Sequence, residues 1–168
     1  MIAYRYYLSL GSNISPEINL PGAVQRLSGF GKISARSRVY ESEPFDAPRE
    51  QPNFLNAAVI LYSAIKPDDF KTDVIRRVET DLGRSREIDR NAARTIDIDL
   101  LLIGLPGETV RLTGVQADEV FSRPFLAVPF ADLAPDLQHP AKQQILNEQA
   151  RIFLFEGRVK HRPDVRLE

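Results

Sequence analysis

The order strand, helix, strand, strand, helix, strand, read from hydrophobic periodicity and turn residues, predicts an α+β chain. That order suits a ferredoxin-like antiparallel sheet with helices packed on one face and the opposite face free to carry a site. Two further observations agree. A length of 168 residues suits one domain spanning residues 1–168, large enough to bury about two-thirds of its unfolded surface. A make-up of 43% hydrophobic and 27% charged residues is that of a globular chain rather than a disordered one.

Residues 6–10 form a short apolar run stopped by Gly11-Ser12-Asn13, a strand entering a turn. Pro21 suits the first turn of a helix carrying Val24 and Leu27. Residues 32–42 alternate as one half-exposed strand, with Ile33, Ala35, Ser37, Val39 and Glu41 on one side and Ser34, Arg36, Arg38, Tyr40 and Ser42 on the other. Pro44, Pro48 and Pro52 preclude regular structure across residues 43–53. Residues 54–62 read as an apolar strand. Pro67, Asp68 and Asp69 then open a helix whose stripe of Phe70, Val74, Ile75, Val78 and Leu82 ends at Gly83. Residues 95–103 are the next strand, closed by Gly104-Leu105-Pro106-Gly107. The pattern weakens until residues 125–133, and Ile145, Ile152 and Phe155 suggest a late helix. Residues 158–168 read as a loosely packed surface tail.

Lys plus Arg number 22 and Asp plus Glu 23, a net charge of −1 that gives no field to attract nucleic acid or an anionic membrane. The absence of cysteine excludes disulfides, thiolate metal sites and a cysteine nucleophile together. His139 and His161 lie in polar, proline-containing surroundings and read as solvated surface groups. No signal-like start and no apolar run near the ~18 residues of a membrane span is present, so a cytoplasmic location is expected.

The most informative run is Arg94-Thr95-Ile96-Asp97-Ile98-Asp99-Leu100-Leu101-Leu102. Alternate strand residues share a face, so Asp97 and Asp99 point the same way, ~7 Å apart along the backbone, while Ile96, Ile98 and Leu100 turn to the core. Adjacent carboxylates raise each other's pKa unless a cation compensates them, and hard oxygen ligands suit Mg²⁺. A strand face charged only for solubility is the plainer reading of the pair. Arg84, Arg86, Arg90 and Arg94 shift that balance, because guanidinium forks hold phosphate oxygens and neutralise charge during transfer. Glu79, one helical turn before Gly83, reads on pattern as a surface ion-pair partner. The chain has no Gly-x-x-x-x-Gly-Lys-Ser/Thr phosphate loop.

In Gln51-Pro52-Asn53-Phe54-Leu55-Asn56-Ala57-Ala58-Val59, Asn56 shares a strand face with Phe54, Ala58 and Ile60. A buried amide needs its donors and acceptor met, and a heterocycle edge carrying N–H beside C=O meets both. Phe54 offers a stacking surface and Phe125, after Ser122-Arg123-Pro124, a second. Equally, both rings belong to an ordinary core and Asn56 bonds backbone.

Together with Leu10-Gly11-Ser12-Asn13, Val39-Tyr40, Glu43-Pro44-Phe45, Glu79 and Leu82-Gly83-Arg84-Ser85-Arg86, these runs appear in an order and spacing that resembles the 6-hydroxymethyl-7,8-dihydropterin pyrophosphokinase family of folate biosynthesis. The likeness covers residue 7 to about residue 140. It implies a ferredoxin-like enzyme that moves the β,γ-diphosphate of ATP onto the pterin hydroxymethyl oxygen, leaving AMP. A monomer is expected, and the resemblance implies ATP and a small pterin as its partners. By the resemblance Asp97 and Asp99 hold two Mg²⁺ ions, and Arg84 and Arg94 assist transfer. Glu79, Arg86, Arg90, Ile98, Arg111, Thr113 and Arg123 match nucleotide positions. Asn56 matches the pterin-reading amide, Phe54 and Phe125 the rings that sandwich the pterin, and Ser42, Glu43, Pro44 and Phe45 its edge contacts. The segments 43–53 and 84–94 match loops that close over ATP. The chain departs where the family has Arg-Trp-Gly-Pro-Arg-Thr, carrying Arg90-Asn91-Ala92-Ala93-Arg94-Thr95. It departs again where Val-Pro-His follows Arg-Leu-Thr, carrying Gly114-Val115-Gln116-Ala117 instead. The alternatives are a diverged member acting on another hydroxylated heterocycle or only binding nucleotide, and a non-catalytic ferredoxin-like binding module.

Overall fold

Strands β1 (Tyr4–Ser12) and β4 (Phe54–Ser63) pair antiparallel along their whole lengths and form the centre of the sheet. The computed structural model describes residues 3–45, 50–84, 92–105, 107–108 and 114–168. Between these strands in sequence lie α1 (Pro16–Ser28), β2 (Lys32–Arg36) and β3 (Tyr40–Ser42). After β4 come α2 (Pro67–Asp69), a π-helical turn (Phe70–Ile75), α3 (Arg76–Asp81) and β5 (Asp97–Gly104). The chain ends with α4 (Gly114–Ser122), α5 (Pro124–Ala131), α6 (Leu146–Phe155) and β6 (Lys160–His161). The sheet order is β5-β1-β4-β3-β6, with β2 also on β4, and every pairing is antiparallel. This is the α+β architecture expected from the element order.

Period-two alternation sorts the central strands between two cores. Tyr6, Leu8, Leu10, Leu55, Ala57, Val59 and Leu61 bury against Leu20, Val24 and Leu27 of α1 and Phe70, Val74 and Val78 of the second helical segment. Tyr7, Ile60 and Leu102 face the other way, onto Ala117, Val120, Leu126, Val128, Phe130 and Leu146. Helices therefore cover part of both faces rather than one. Helix α5 packs on β4, β3 and β1 and buries seven of its eight residues. A helix apolar all round has no amphipathic period to read, which is why residues 125–133 showed only as a return of apolar character.

The predicted strand 32–42 is split. Its register against β4 slips between Ile33 and Ala35, so Ile33 packs on the first core and Ala35 on the second. A bulge adds one residue and flips every later side chain, which no strict alternation anticipates. At the gap before β3, the Ala58 N–H donates to Ser37 Oγ at 2.8 Å, a side chain taking the place of a ladder carbonyl.

Two more expectations are corrected. Segment 158–168 is not a loose tail: β6 adds to β3 with Tyr40 opposite His161 and Glu41 opposite Lys160, and Val165 and Leu167 bury in the first core. Its few apolar residues are spaced too widely to register as a pattern. His139 is buried, not solvated; its Nε2 lies 3.1 Å from Asp118 Oδ1 and its Nδ1 accepts the Ala141 N–H at 3.2 Å. Its partners lie outside any local pattern, on α4 and the following turn.

Gly31 lies so close to the next strand that a Cβ there would fall 2.2 Å from the Tyr62 carbonyl oxygen. Backbone atoms cannot yield to it, so Gly31→Ala should cost roughly 1–3 kcal/mol, the scale of overpacking. Urea unfolding reads this directly, and an unchanged midpoint would show that β2 shifts freely.

Candidate functional site

Helices α4 to α6 leave the ends of three strands uncovered on the second face. Cross-strand register lines up the exposed row: Asp97 stands opposite Gly11, Gly11 opposite Asn56, and Asn56 opposite Tyr40. One step along, Asp99 is opposite Ser9. Two strand spacings put about 10 Å between the Asp97 and Asn56 backbones. Gly11 sits between them, and its missing side chain leaves the floor open.

A cleft of about 300 Å³ forms over this row. Ser9, Gly11, Ser42, Glu43, Phe45, Phe54, Asn56, Arg94, Asp97, Asp99, Arg123 and Phe125 line it. Pro44 lines an adjoining hollow of about 500 Å³ that shares Phe45 and Phe125. Ten residues singled out from the sequence thus meet in one cavity, although they come from four separate segments. Arg84 stands at its edge through Asp97. Ile98 turns its side chain to the first core, as alternation requires. Arg86, Arg90, Arg111 and Thr113, and the substituted residue Asn91, lie outside the described residues.

The electrostatics centre on Asp97. Arg84 Nη1 reaches Asp97 Oδ1 at 2.7 Å, and Arg94 Nη1 pairs with Asp97 Oδ2. Arg84 is also held by Glu79 Oε1. Glu79 is 3% exposed and accepts the Ile98 N–H at 3.0 Å. Its predicted surface ion pair is therefore a buried one. The π turn ahead of α3 inserts a residue and rotates the helix phase, bringing Glu79 inward beside Val78. Asp99, the next carboxylate on the same strand face, opens on the cleft. Desolvation by the surrounding protein, and next the charge of Asp97, push its carboxyl up to about 6.

The opposite end is apolar and hydrogen-bonding. Asn56 is buried, and its Nδ2 donates to Ser42 Oγ at 3.0 Å and the Tyr40 carbonyl at 3.3 Å. Its Oδ1 lies toward Gly11, 3.5 Å from where a Cβ would stand. Phe45 and Phe125 lie 5.6 Å apart at 59°. Arg123 sits over Phe45, and Arg94 over Phe54. Arg123 is also paired with Glu119 at 2.6 Å.

Residue patterns alone missed Asn13. Its Nδ2 donates to Gln51 Oε1 at 2.9 Å and the Pro52 carbonyl at 3.2 Å, while its Oδ1 accepts the Arg94 N–H at 2.8 Å. It ties the proline-rich segment to the arginine that holds Asp97. A Gly-Ser-Asn turn ending the first strand was the only signal, and it specifies a turn rather than two distant partners.

Among the described residues no group of three or more His, Cys, Asp or Glu could hold a metal ion. Two carboxylates on one face, one of them disfavoured as an anion, fit a Mg²⁺ whose other positions go to water and phosphate oxygens. Taking ~30 Å³ per water, the cleft has room for roughly ten, ample for hydrated cations beside the arginines.

The sequence model of the 7,8-dihydro-6-hydroxymethylpterin-pyrophosphokinase family matches residues 7–135. The chain belongs to this family. It is thus a pyrophosphokinase of folate synthesis, a kinase-type transferase using ATP. The 2-amino-4-hydroxy-6-hydroxymethyldihydropteridine pyrophosphokinase of Pseudomonas aeruginosa is 33% identical over 91% of this chain and 94% of its own. That of Haemophilus influenzae is 31% identical over 94% and 98%. The fold is similar to that of a Plasmodium falciparum HPPK-DHPS structure, with a TM-score of 0.65 at 12% identity. That alignment covers 95% of this chain and 49% of the other, so this chain spans about half the length of the Plasmodium one.

Partial desolvation of Asp99 beside the like charge of Asp97 has a pH signature. The Asp99 carboxyl titrates higher in the folded chain than the ~3.9 of an unfolded one, so stability present below pH ~4 is lost as pH rises toward ~6. In EDTA, Asp99→Asn should raise Tm at pH 8 and have little effect at pH 4, while abolishing turnover. A variant less stable than wild type at pH 8 would refute the electrostatic strain.

Proposed function

We propose that this chain transfers the β,γ-diphosphate of ATP to the hydroxymethyl group of 6-hydroxymethyl-7,8-dihydropterin, giving AMP and the pterin diphosphate, as a cytoplasmic monomer. The supporting observation is the single row Asp97, Gly11, Asn56, which sets a carboxylate pair at one end of a flat cleft and an amide between aromatic rings at the other. No helix among the described residues is long and apolar enough to cross a membrane.

Asn56 and the β3 edge at Ser42 hold the pyrimidine side of the pterin, Phe54 and Phe125 stack on its faces, and the hydroxymethyl group then points toward Asp97 and Asp99. Asp97 and Asp99 would hold two Mg²⁺ ions. Bound there, these supply Lewis-acid stabilisation of the triphosphate and the attacking oxygen. The hydroxymethyl oxygen forms a bond to the β-phosphorus, the bond from that phosphorus to the bridging oxygen of AMP breaks, and the hydroxyl proton leaves to solvent. Arg84 and Arg94, resting on Asp97, offer their guanidinium groups to phosphate oxygens placed beside that carboxylate. Glu79 keeps Arg84 within reach of them. Arg123 offers a further guanidinium from the opposite wall. Arg86, Arg90, Ile98, Arg111 and Thr113 complete the nucleotide side in this reading.

A second reading, a diverged acceptor specificity or nucleotide binding alone, draws on Asn91-Ala92-Ala93 and on Ala117. Ala117 is fully buried in the second core, so no polar group projects from that position.

Incubation with ATP, Mg²⁺ and hydroxymethyldihydropterin should give AMP and a diphosphorylated pterin in equal amounts; ADP, or binding without turnover, would favour the second reading. Asp97→Ala should cost at least ~3 kcal/mol of transition-state stabilisation, about two orders of magnitude in kcat, and near-normal turnover would overturn the assignment of the pair. A methyl on Gly11 meets only ordinary contacts, 3.5 Å from Asn56 Oδ1 and 3.9 Å from Phe54. Gly11→Ala should therefore fold normally and raise the pterin KM about tenfold, as a methyl-sized misfit does. Unchanged pterin KM would move the substrate off this row.

A further inference from the structure

The C-terminal residues lie beyond the match to the family's sequence model, which ends at residue 135, yet they reach the pocket wall. We infer that the segment following α6 is a positioning element of the pterin pocket, acting from Arg162 through Glu41 to Asn53; this rests on the pterin reading of the cleft. Arg162 Nη1 donates to Glu41 Oε2 at 2.9 Å, and Asn53 Nδ2 donates to Glu41 Oε1 at 2.9 Å. One carboxylate thus joins the C-terminal segment to the residue just before β4. The same guanidinium is oriented by Asp164 through Nε at 2.9 Å and Nη2 at 2.7 Å, and lies 3.5 Å from Glu17. Its backbone N–H donates to the Val39 carbonyl at 2.8 Å.

The strand that Arg162 braces is the strand that holds the pterin-reading amide. β6 zips onto Tyr40 and Glu41, and the next contacts across β3 are the Tyr40 carbonyl and Ser42 Oγ that orient Asn56. β3 is only three residues long, so its own ladder leaves it weakly placed, and the added strand converts an edge into an interior strand. The segment also touches the hollow next door, where Gly157, Arg158, Val159 and Lys160 face Glu43, Pro44 and Phe45. Asn53 first, then Arg162, keep the Glu41 carboxyl below the usual carboxylate range, so the link stays ionised through the working pH range.

Steady-state kinetics on the full chain separates positioning from mere stability. Arg162→Ala and Glu41→Ala should each raise the pterin KM five- to tenfold, leave ATP KM and kcat within twofold, and be partly rescued by Arg162→Lys. Arg162→Ala combined with Asn53→Ala should be no worse than the poorer single variant, because both act through one carboxylate. A lowered Tm with pterin KM within twofold of wild type, or equal rises in both KM values, would overturn the inference. Absence of AMP from the wild type would instead sink the activity reading. Hydrogen exchange then decides the link without turnover. In Arg162→Ala, amides of Tyr40 to Ser42 and Phe54 to Asn56 should exchange faster relative to Leu8 and Leu10, and unchanged ratios would refute it.

Discussion

Repulsion between two carboxylates on one strand face is the constraint around which this molecule is organised. Asp97 and Asp99 cannot both be comfortable as anions side by side in a partly desolvated cleft without positive charge nearby. The chain supplies part of that charge itself: Arg84 and Arg94 lie on Asp97, and Arg84 is anchored from below by a buried Glu79. Desolvation first, and then the charge of Asp97, hold the Asp99 carboxyl up at about 6, with Arg84 offsetting part of that rise. A site strained as an anion pair binds cations and their phosphates more readily than one already neutralised. Partly buried ion pairs of this kind add little to stability; here they hold Arg84 and Arg94 beside the carboxylate pair.

The sheet converts that charge arrangement into a ruler. Antiparallel register fixes Asp97, Gly11 and Asn56 in one row at strand spacing, independent of loop conformation. The carboxylate end and the amide end of the cleft are therefore separated by backbone hydrogen bonds rather than by flexible side chains. Helices α4 to α6 cover the remainder of that face, so the cleft is where their packing stops. Asn13 directly, and Arg162 just after β6 through Glu41, brace the end of the proline-rich segment at Gln51, Pro52 and Asn53.

Much of this was legible because it is local. The Asp-x-Asp alternation, the Pro67 helix start and the Gly83 stop depend on neighbours within a turn or a pleat, and Gly83 does adopt a left-handed φ of +74°. The bulge in β2 was not legible, since one inserted residue is decided by how β2 must follow β4. Helix α5 was not, since a fully buried helix has no polar face. The inward turn of Glu79 depended on a π turn that composition does not mark.

By itself the sequence determined which residues could carry chemistry: a carboxylate pair on one face, arginines before it, an amide and two phenylalanines on strand and helix starts. Those are properties of residue type and short-range period. Only the tertiary structure decided which of them meet, that Arg84 is shared between Glu79 and Asp97, that Asn13 joins two distant segments, and that the last eleven residues belong to the fold. Such pairings span tens of residues along the chain, and their geometry is set by strand register and packing rather than by any pattern within a single element.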